Sequence, residues 1–135
     1  MLDQQALLLA SFTEIQRTRE GIVVILKSDD LFEKRDEALK SNSISQLERI
    51  GDILAAYPAD RLIVAGHTDN QGTDEAAKLL TESQAMAVRN QLLTRHIPEK
   101  HITSVGMGKS EPIASNGTVE GQAQNRRLEI RITCK

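Results

Sequence analysis

The length and composition of the chain indicate one ordinary globular domain. Its 135 residues, 39% hydrophobic and 27% charged, are enough to bury an aliphatic core without disulfides or metal. A net charge of -2 and an aromatic content of 2% argue against nucleic-acid binding, which needs a basic face or stacking side chains. No apolar run approaches the roughly 20 residues of a membrane span, and the single Cys134 cannot form an internal disulfide.

Apolar spacing predicts a helix at the start of the chain, followed by a strand. The helix is expected over Leu2–Arg19. The β-branched run Ile22–Leu26 is typical of a strand buried on both faces. Ser28-Asp29-Asp30 then marks a loop that contains the apolar pair Leu31-Phe32.

A second helix and strand are predicted in the middle of the chain. Ser45-Gln46-Leu47-Glu48 has the spacing of a capping box, which opens a helix. Pro58 ends the helical spacing. Arg61–Ala65 has the composition of the second strand.

Two capping patterns then predict two separate helices. Thr73 or Asp74 is expected to cap a short helix that runs through Leu80. Thr81-Glu82-Ser83-Gln84 repeats the capping-box spacing and is expected to open another helix. In that role the Gln84 side chain would turn back toward the backbone.

The last part of the chain predicts two more strands separated by a loop. The strands are His101–Val105 and Leu128–Thr133, and the loop is Gly106–Gly121. Gly106 and Gly108 are interpreted as turn positions that need positive φ. The order of elements predicts an α/β fold, an α+β sandwich in which a mixed sheet of about four strands carries helices on one face.

The sequence contains no convincing catalytic or metal-binding motif. Its histidines, His67, His96 and His101, lack the spacing of metal ligands, and no serine lies in a nucleophile elbow. His67 follows a strand and lies close to Asp69. It is therefore either a polar contact in a site or a histidine that packs at a strand end.

Two stretches have the composition of a binding site. Residues 66–74, GHTDNQGTD, place Asp69 among small polar residues directly after a strand. Asn125-Arg126-Arg127 begins the last strand, where adjacent side chains point to opposite faces. One arginine can then meet a carboxylate such as Asp69 while the other faces solvent. The alternative is a solvated pair of arginines beside the strand.

Together these motifs resemble the OmpA-like peptidoglycan-associated domain, a family that includes the C-terminal domain of OmpA, the Pal lipoprotein and MotB. The resemblance is carried, in chain order, by GHTDNQGTD at 66–74, Leu80-Thr81-x-x-Gln84-Ala85, Gly106-x-Gly108, Pro112-Ile113-Ala114, Asn116, and GQAQNRRLEI at 121–130. It extends over 21–135. Residues 1–20 are accordingly interpreted as an N-terminal helical lead-in to the OmpA-like domain.

The resemblance implies a non-catalytic, periplasmic domain that binds peptidoglycan and uses no cofactor or metal. In the family, a shallow pocket holds the diaminopimelate residue of the stem peptide, with an acid for its ammonium and a cation for its carboxylate. The acid corresponds to Asp69. The other ligand-binding residues that the resemblance implies are Asn70, Gly72, Thr73, Gln84, Phe32, Arg126 and Arg127. It also implies a full-length protein tethered to the outer membrane.

The sequence departs from the family pattern at three positions. Gln84 stands where the family has the arginine of LSxxRA, Ala77 where it has an asparagine, and Glu33 where it has an aspartate. Losing a charge-assisted bond in favour of a neutral one weakens binding by roughly ten-fold. Arg35, Lys78 and Arg126 are candidates for the missing cation.

Two functions therefore remain open at this stage. The first is a wall-binding domain that anchors an envelope protein to peptidoglycan. The second is a scaffold whose wall site has weakened or been lost. Such a scaffold would act as a protein–protein module, for instance a lipoprotein subunit of an outer-membrane secretion complex.

Overall fold

The computed structural model describes residues 2–33, 38–57 and 61–133. Pro58, the candidate cation Arg35 and Cys134 lie outside these ranges. The elements, in chain order, are α1 Leu2–Ala10, β1 Glu14–Arg17, β2 Gly21–Lys27, α2 Ser28–Leu31, α3 Ser41–Ala56, β3 Arg61–His67, α4 Asp74–Leu93, β4 Ile102–Gly108, α5 Val119–Asn125 and β5 Arg127–Thr133. A single 3-10 turn, Glu99–His101, precedes β4.

The strands form one mixed sheet in the order β1-β2-β5-β3-β4. The pairs β1/β2, β2/β5 and β5/β3 are antiparallel, whereas β3 and β4 are parallel and are connected through α4. A parallel pair needs such a crossover because its strands run in the same direction. The predicted mixed sheet is confirmed, with five strands among the described residues in place of about four.

The core lies between the helices and one face of the sheet. Val24, Ile130 and Val64 are opposite one another on β2, β5 and β3 and are completely buried. From the helix side, Ile50 of α3 and Val88 of α4 belong to the same core. Burying each such side chain stabilises the fold by about 1.5–3 kcal/mol relative to leaving it exposed. The packing also places the ends of β2 and β3 next to α4.

The predicted first helix is wrong beyond Ala10. The hydroxyls of Ser11 and Thr13 donate to the carbonyl oxygens of Leu8 and Leu9, both at 2.7 Å, and the helix ends there. Hydroxyl groups of this kind compete with the backbone for helical hydrogen bonds. Glu14–Arg17 then pairs with β2 as the extra edge strand.

The two helices predicted around Leu80 are one continuous helix. Thr73 is the N-cap of α4, as expected, and its side chain accepts a hydrogen bond from the Ala76 amide. Thr81 lies in the middle of α4, where its hydroxyl donates to the carbonyl oxygen of Ala77 at 2.9 Å. The Thr81 hydroxyl oxygen also accepts from the Gly108 amide at 3.0 Å. Thr81 therefore connects β4 to α4 and is not a helix cap. Because Gln84 was predicted to complete a capping box with Thr81, that role of Gln84 is also wrong.

Three further predictions need correction. Helix α3 begins at Ser41, so the Ser45–Glu48 pattern lies inside it. The predicted loop up to Gly121 is interrupted by α5, which Thr118 caps through the Gly121 amide. Gly108 has the expected positive φ of 58°, but Gly106 does not. A Cβ at Gly106 would lie 2.4 Å from the Glu82 amide nitrogen, so this glycine is required by close packing against α4.

Candidate functional site

A small polar cleft lies where β2 and β3 end beside α4. We call it the polar cleft; its lining residues are Ser28, Asp29, Phe32, Glu33, His67, Thr68, Leu80, Gln84 and Arg126. The space inside it is about 10 Å³, room for about one water molecule. Three elements, α2, β3 and α4, contribute to it. The Arg126 segment reaches it because the Ser28 amide donates to the carbonyl oxygen of Arg126 at 3.0 Å.

Arg126 and Asp69 form an ion pair at the polar cleft. The Arg126 Nη1 atom donates to Oδ2 of Asp69 at 2.7 Å, and the Asp69 side chain is fully buried. Its other oxygen accepts from the Gln71 amide at 3.1 Å, which fixes the turn after β3. The structure therefore contains the ion pair that was predicted between Asp69 and one of the two adjacent arginines, and that arginine is Arg126.

A second acid, Asp29, shares the same guanidinium. Arg126 donates from Nε and Nη2 to the two oxygens of Asp29 at 3.0 and 2.9 Å. This bidentate geometry matches the fork of the guanidinium. These bonds to Asp29, together with the bond to Asp69, raise the pKa of Arg126 above its usual value. Asp29 is about half exposed, so it is the acid of this group that reaches solvent.

The turn after Asp69 is held in place from the side of β4. Lys109 donates from Nζ to the carbonyl oxygens of Asn70 at 3.3 Å and Gly72 at 2.5 Å. Gly72 has a φ of 80°, which glycine adopts without steric strain. Thr73 then caps α4, so the three predicted residues of this turn lie together at the helix N-terminus, where backbone amides favour anions.

Gln84 and Phe32 line the polar cleft. The Gln84 side chain projects from α4 and is 3% exposed, and Phe32 is 1% exposed at the end of α2. Lys78, another candidate for the missing cation, lies one helical face away, beside Gly106 and Lys109. Of the described candidates for a cation, Arg126 is therefore the one at the cleft.

The structure does not bring Arg127 into the polar cleft. Arg127 alternates with the core residue Leu128 and points to the opposite face of the sheet, where it is 2% exposed. Its Nε donates to Glu129 at 2.8 Å, and its Nη2 donates to the carbonyl oxygen of Glu111 at 3.0 Å. The expected solvent-facing arginine is instead a buried, paired one. Burial alone would raise the pKa of Glu129, but hydrogen bonds from Arg127 and Arg131 lower it.

Two buried polar side chains near the ends of β2 and β3 lack a hydrogen bond within the described part of the chain. They are the hydroxyl of Ser28 and the ring nitrogens of His67. The Nε2 atom of His67 is 3.8 Å from Glu129, beyond hydrogen-bond distance. Burial, with the nearby charge of Arg127, lowers the pKa of His67 to about 4, so its ring is neutral at neutral pH. Buried groups of this kind usually have partners. The His67 ring lies on the same face of the sheet as Arg127 and Glu129, away from the cleft.

Sequence reasoning missed Asp29 and Ser28 and left His67 undecided. Ser28-Asp29-Asp30 predicts only a loop, because nothing in local spacing indicates a contact with Arg126. A run of two acids after a buried strand was the available signal. Asn125 was also missed as an organising residue: its Oδ1 accepts from the amides of Ile113 and Ala114 at 2.8 and 3.0 Å.

Comparison with known proteins identifies the family. The sequence profile of the OmpA family matches residues 31–126, more than half of the chain. This chain belongs to the OmpA family. The resemblance seen in the motifs is thereby confirmed.

Relatives of this OmpA-family chain include proteins of the bacterial envelope. Outer membrane porin F of Pseudomonas aeruginosa is 36% identical over 111 residues, which cover 82% of this chain and 32% of the porin. Peptidoglycan-binding protein ArfA of Mycobacterium tuberculosis is 43% identical over 86 residues, which cover 64% of this chain and 26% of ArfA. The chain thus matches about a third or less of the length of these two relatives.

A solved structure supports the same fold over the whole OmpA-family chain. The cell wall anchor of the T6SS from Pseudomonas aeruginosa is 26% identical and superposes with a TM-score of 0.85, covering 100% of this chain and 98% of the anchor. No helix in the described ranges is long and apolar enough to cross a bilayer. The described residues also contain no cluster of His, Cys, Asp or Glu suited to a metal ion.

Proposed function

We propose that this domain is non-catalytic and binds the stem peptide of peptidoglycan at the mouth of the polar cleft, so that it anchors an envelope protein to the cell wall. The observation that carries the proposal is the Arg126–Asp69 ion pair, with Asp29 on the same guanidinium. It supplies both signs of charge within one small site. A zwitterionic group such as the free end of diaminopimelate requires that combination.

The roles follow from the charges. The ligand ammonium would contact Asp29, which reaches solvent, and would reach the buried Asp69 once Arg126 is displaced from it. A ligand carboxyl would lie toward Arg126, Gln84 and the N-terminal amides of α4. Phe32 would form an apolar wall, and Asn70, Gly72 and Thr73 would shape the rim. Arg127 would act indirectly by fixing the start of β5, directly after Arg126. Since Arg126 already pairs with both acids, binding exchanges one ion pair for another.

The same proposal covers location and organisation. The domain would lie in the periplasm, in a full-length protein tethered to the outer membrane, and would meet other proteins of an envelope complex. Similarity to an outer membrane porin and to a cell wall anchor supports this. The division into a lead-in over 1–20 and an OmpA-like domain over 21–135 stays a prediction.

Co-sedimentation with purified peptidoglycan tests the proposal. The wild-type domain should pellet with the wall material, and Asp69→Asn and Arg126→Gln should reduce the bound fraction by at least about ten-fold. Asp52→Asn is a matched control, because it removes an exposed acid that pairs with Arg95 on another surface. No pelleting of the wild type at low salt would refute wall binding.

The second candidate function is a scaffold with a weakened wall site. Gln84 and Ala77, both buried on the same side of α4, favour it, because they replace two polar family residues. The domain would then serve as a protein–protein module in a secretion complex. This candidate predicts negligible wild-type pelleting and a gain of binding with Gln84→Arg; strong wild-type pelleting contradicts it.

A further inference from the structure

The turn of residues 69–73, which we call the Asp69 turn, is anchored at its two ends but lies on the surface between them. Asp69 is buried at its start, and Thr73 caps α4 at its end. Residues 70–72 are exposed. Beyond its chain neighbours, no atom lies within 4 Å of the position that a Cβ of Gly72 would take. A surface segment with so little packing needs an outside contact to keep one conformation.

Lys109 makes that contact from the end of β4. Its Nζ atom donates to the carbonyl oxygens of Asn70 at 3.3 Å and Gly72 at 2.5 Å, and it lies 3.5 Å from Oδ1 of Asp74. An ammonium group has three donors, which these three oxygens match. Among the residues that the structure describes, Lys109 is the one whose side chain reaches residues 70–72 from outside the turn with hydrogen bonds. Its side chain is 22% exposed.

The backbone just before Lys109 is fixed. The pairing of the parallel strands shifts at its end, so that His67 is opposite Gly108. Gly108 has a φ of 58°, which turns the chain there. Its amide donates to the Thr81 hydroxyl and its carbonyl oxygen accepts from the Thr68 amide, both at 3.0 Å. Lys109 therefore extends from a rigid point toward the Asp69 turn.

We infer that Lys109 is a positioning residue of the ligand site, which fixes the Asp69 turn in the conformation that a stem peptide meets. Lys109 does not line the polar cleft, so it acts through the turn and not by touching the ligand. Holding a loop in its binding conformation raises affinity, because less ordering remains to be done on binding. The inference rests on the proposed function and adds a residue to the same site.

The direction of the peptide groups supports this role. In a trans peptide unit the N–H points opposite to the C=O. Because Lys109 draws two carbonyl groups of the turn toward β4, the amides that follow them, those of Gln71 and Thr73, point away from it. The Gln71 amide donates to Oδ1 of Asp69 at 3.1 Å and so orients the acid. The Thr73 amide lies at the N-terminus of α4, where a ligand carboxyl is expected.

Isothermal titration of the domain with a synthetic stem peptide that contains diaminopimelate tests the inference. Lys109→Met should lower the affinity at least about five-fold, because the Asp69 turn loses its outside contact. Lys78→Met is the matched control. Lys78 is an exposed lysine beside the same end of β4, and among the described residues its ammonium has no hydrogen bond to the turn. Its removal should change the affinity by less than about two-fold.

Amide NMR of the ligand-free domain separates positioning from a general loss of stability. The Gln71 and Thr73 amide resonances should shift in Lys109→Met and stay in place in Lys78→Met. Thermal unfolding checks that each variant folds. Lys109→Gln provides the same test if the methionine variant does not fold.

The outcomes distinguish this inference from the proposed function. Unchanged affinity in Lys109→Met would overturn the inference while leaving wall binding intact. An equal loss in Lys78→Met would also overturn it, because the positive charge alone would then matter. So would a loss of affinity without a shift of the Gln71 and Thr73 amides. If the wild-type domain neither binds the peptide nor pellets with peptidoglycan, the proposed function fails, and this inference falls with it.

Discussion

Arg126 contacts Asp69 across 2.7 Å at a point where the carboxylate has no exposed surface. The two residues are far apart in the chain, one after β3 and the other before β5. Their pairing, with Asp29 as the third member, joins the first turn of α2 to the turn before α4. The polar cleft is thus held by electrostatic contacts as well as by the core beneath it.

Arg126→Gln should destabilise the domain by about 1.5–3 kcal/mol, because it removes a charge-assisted bond from a buried carboxylate. Asp29→Asn removes the more exposed pair and should lower the free energy of unfolding by less than about 1 kcal/mol. Urea denaturation of both variants measures the difference. Equal losses would mean that burial of Asp69 has little energetic consequence.

The stability of the domain should fall in acid through His67. The unfolded histidine has a pKa of 6.5 and the folded one a pKa of about 4, so between these values only the unfolded chain takes up the proton. The free energy of unfolding therefore decreases as the pH falls from 6.5 to about 4, by at most about 3 kcal/mol. Above pH 6.5 this contribution is fully present.

His67→Gln isolates that effect. Glutamine keeps polar atoms at the position but does not titrate, so the pH dependence between 6.5 and about 4 should be shallower than that of the wild type. Carboxylates titrate in both proteins, so the difference between the wild-type and His67→Gln curves removes their contribution to the unfolding free energy. Parallel curves of unfolding free energy against pH would show that His67 is not the titrating group.

Thr81→Val should destabilise the domain by about 1–3 kcal/mol, because it leaves the Gly108 amide buried without its hydroxyl partner. Thr81→Ser keeps the oxygen and should lose much less. Thermal or urea unfolding of the two variants provides the measurement. Similar losses would indicate that the methyl group of Thr81, and not its hydroxyl, connects α4 to β4.

Gly106→Ala and Gly72→Ala should differ in the origin and size of their effects. At Gly106 the added Cβ meets backbone atoms of Glu82, so strand and helix must separate, with a loss of about 1–3 kcal/mol. At Gly72 no atom lies within 4 Å, so only the positive φ opposes alanine, at about 1 kcal/mol. Chemical denaturation tests the order; a larger loss at Gly72 contradicts it.

The sequence was sufficient to predict most of the fold because apolar periodicity reports burial directly. The core strands and α3 follow from that signal. Glu14–Arg17 could not be predicted from it, since its strand conformation comes from pairing with β2 and not from its own pattern. The capping role predicted for Thr81 is wrong for a related reason. A capping pattern is local, whereas the hydroxyl of Thr81 on α4 pairs with Gly108 on β4.

The candidate site was predictable only in part. Motif resemblance placed Asp69, Gln84, Phe32 and Arg126 together, and the structure brings all four to one region. Asp29 and the neutral ring of His67 depend on long-range packing, which no spacing rule contains. Arg127 was assigned to the same site because alternation alone does not say which face of a strand receives a buried carboxylate such as Glu129.

The position of β5 between β2 and β3 determines when in synthesis or transport the domain can fold. The last strand of the described chain is hydrogen-bonded on both sides, and without it β1–β2 and β3–β4 would be two separate ribbons. Isolated two-stranded ribbons are marginal in water. A growing or partly transported chain should therefore stay open until Arg127–Thr133 is available, and protease protection should then arise in both halves of the sheet in a single step.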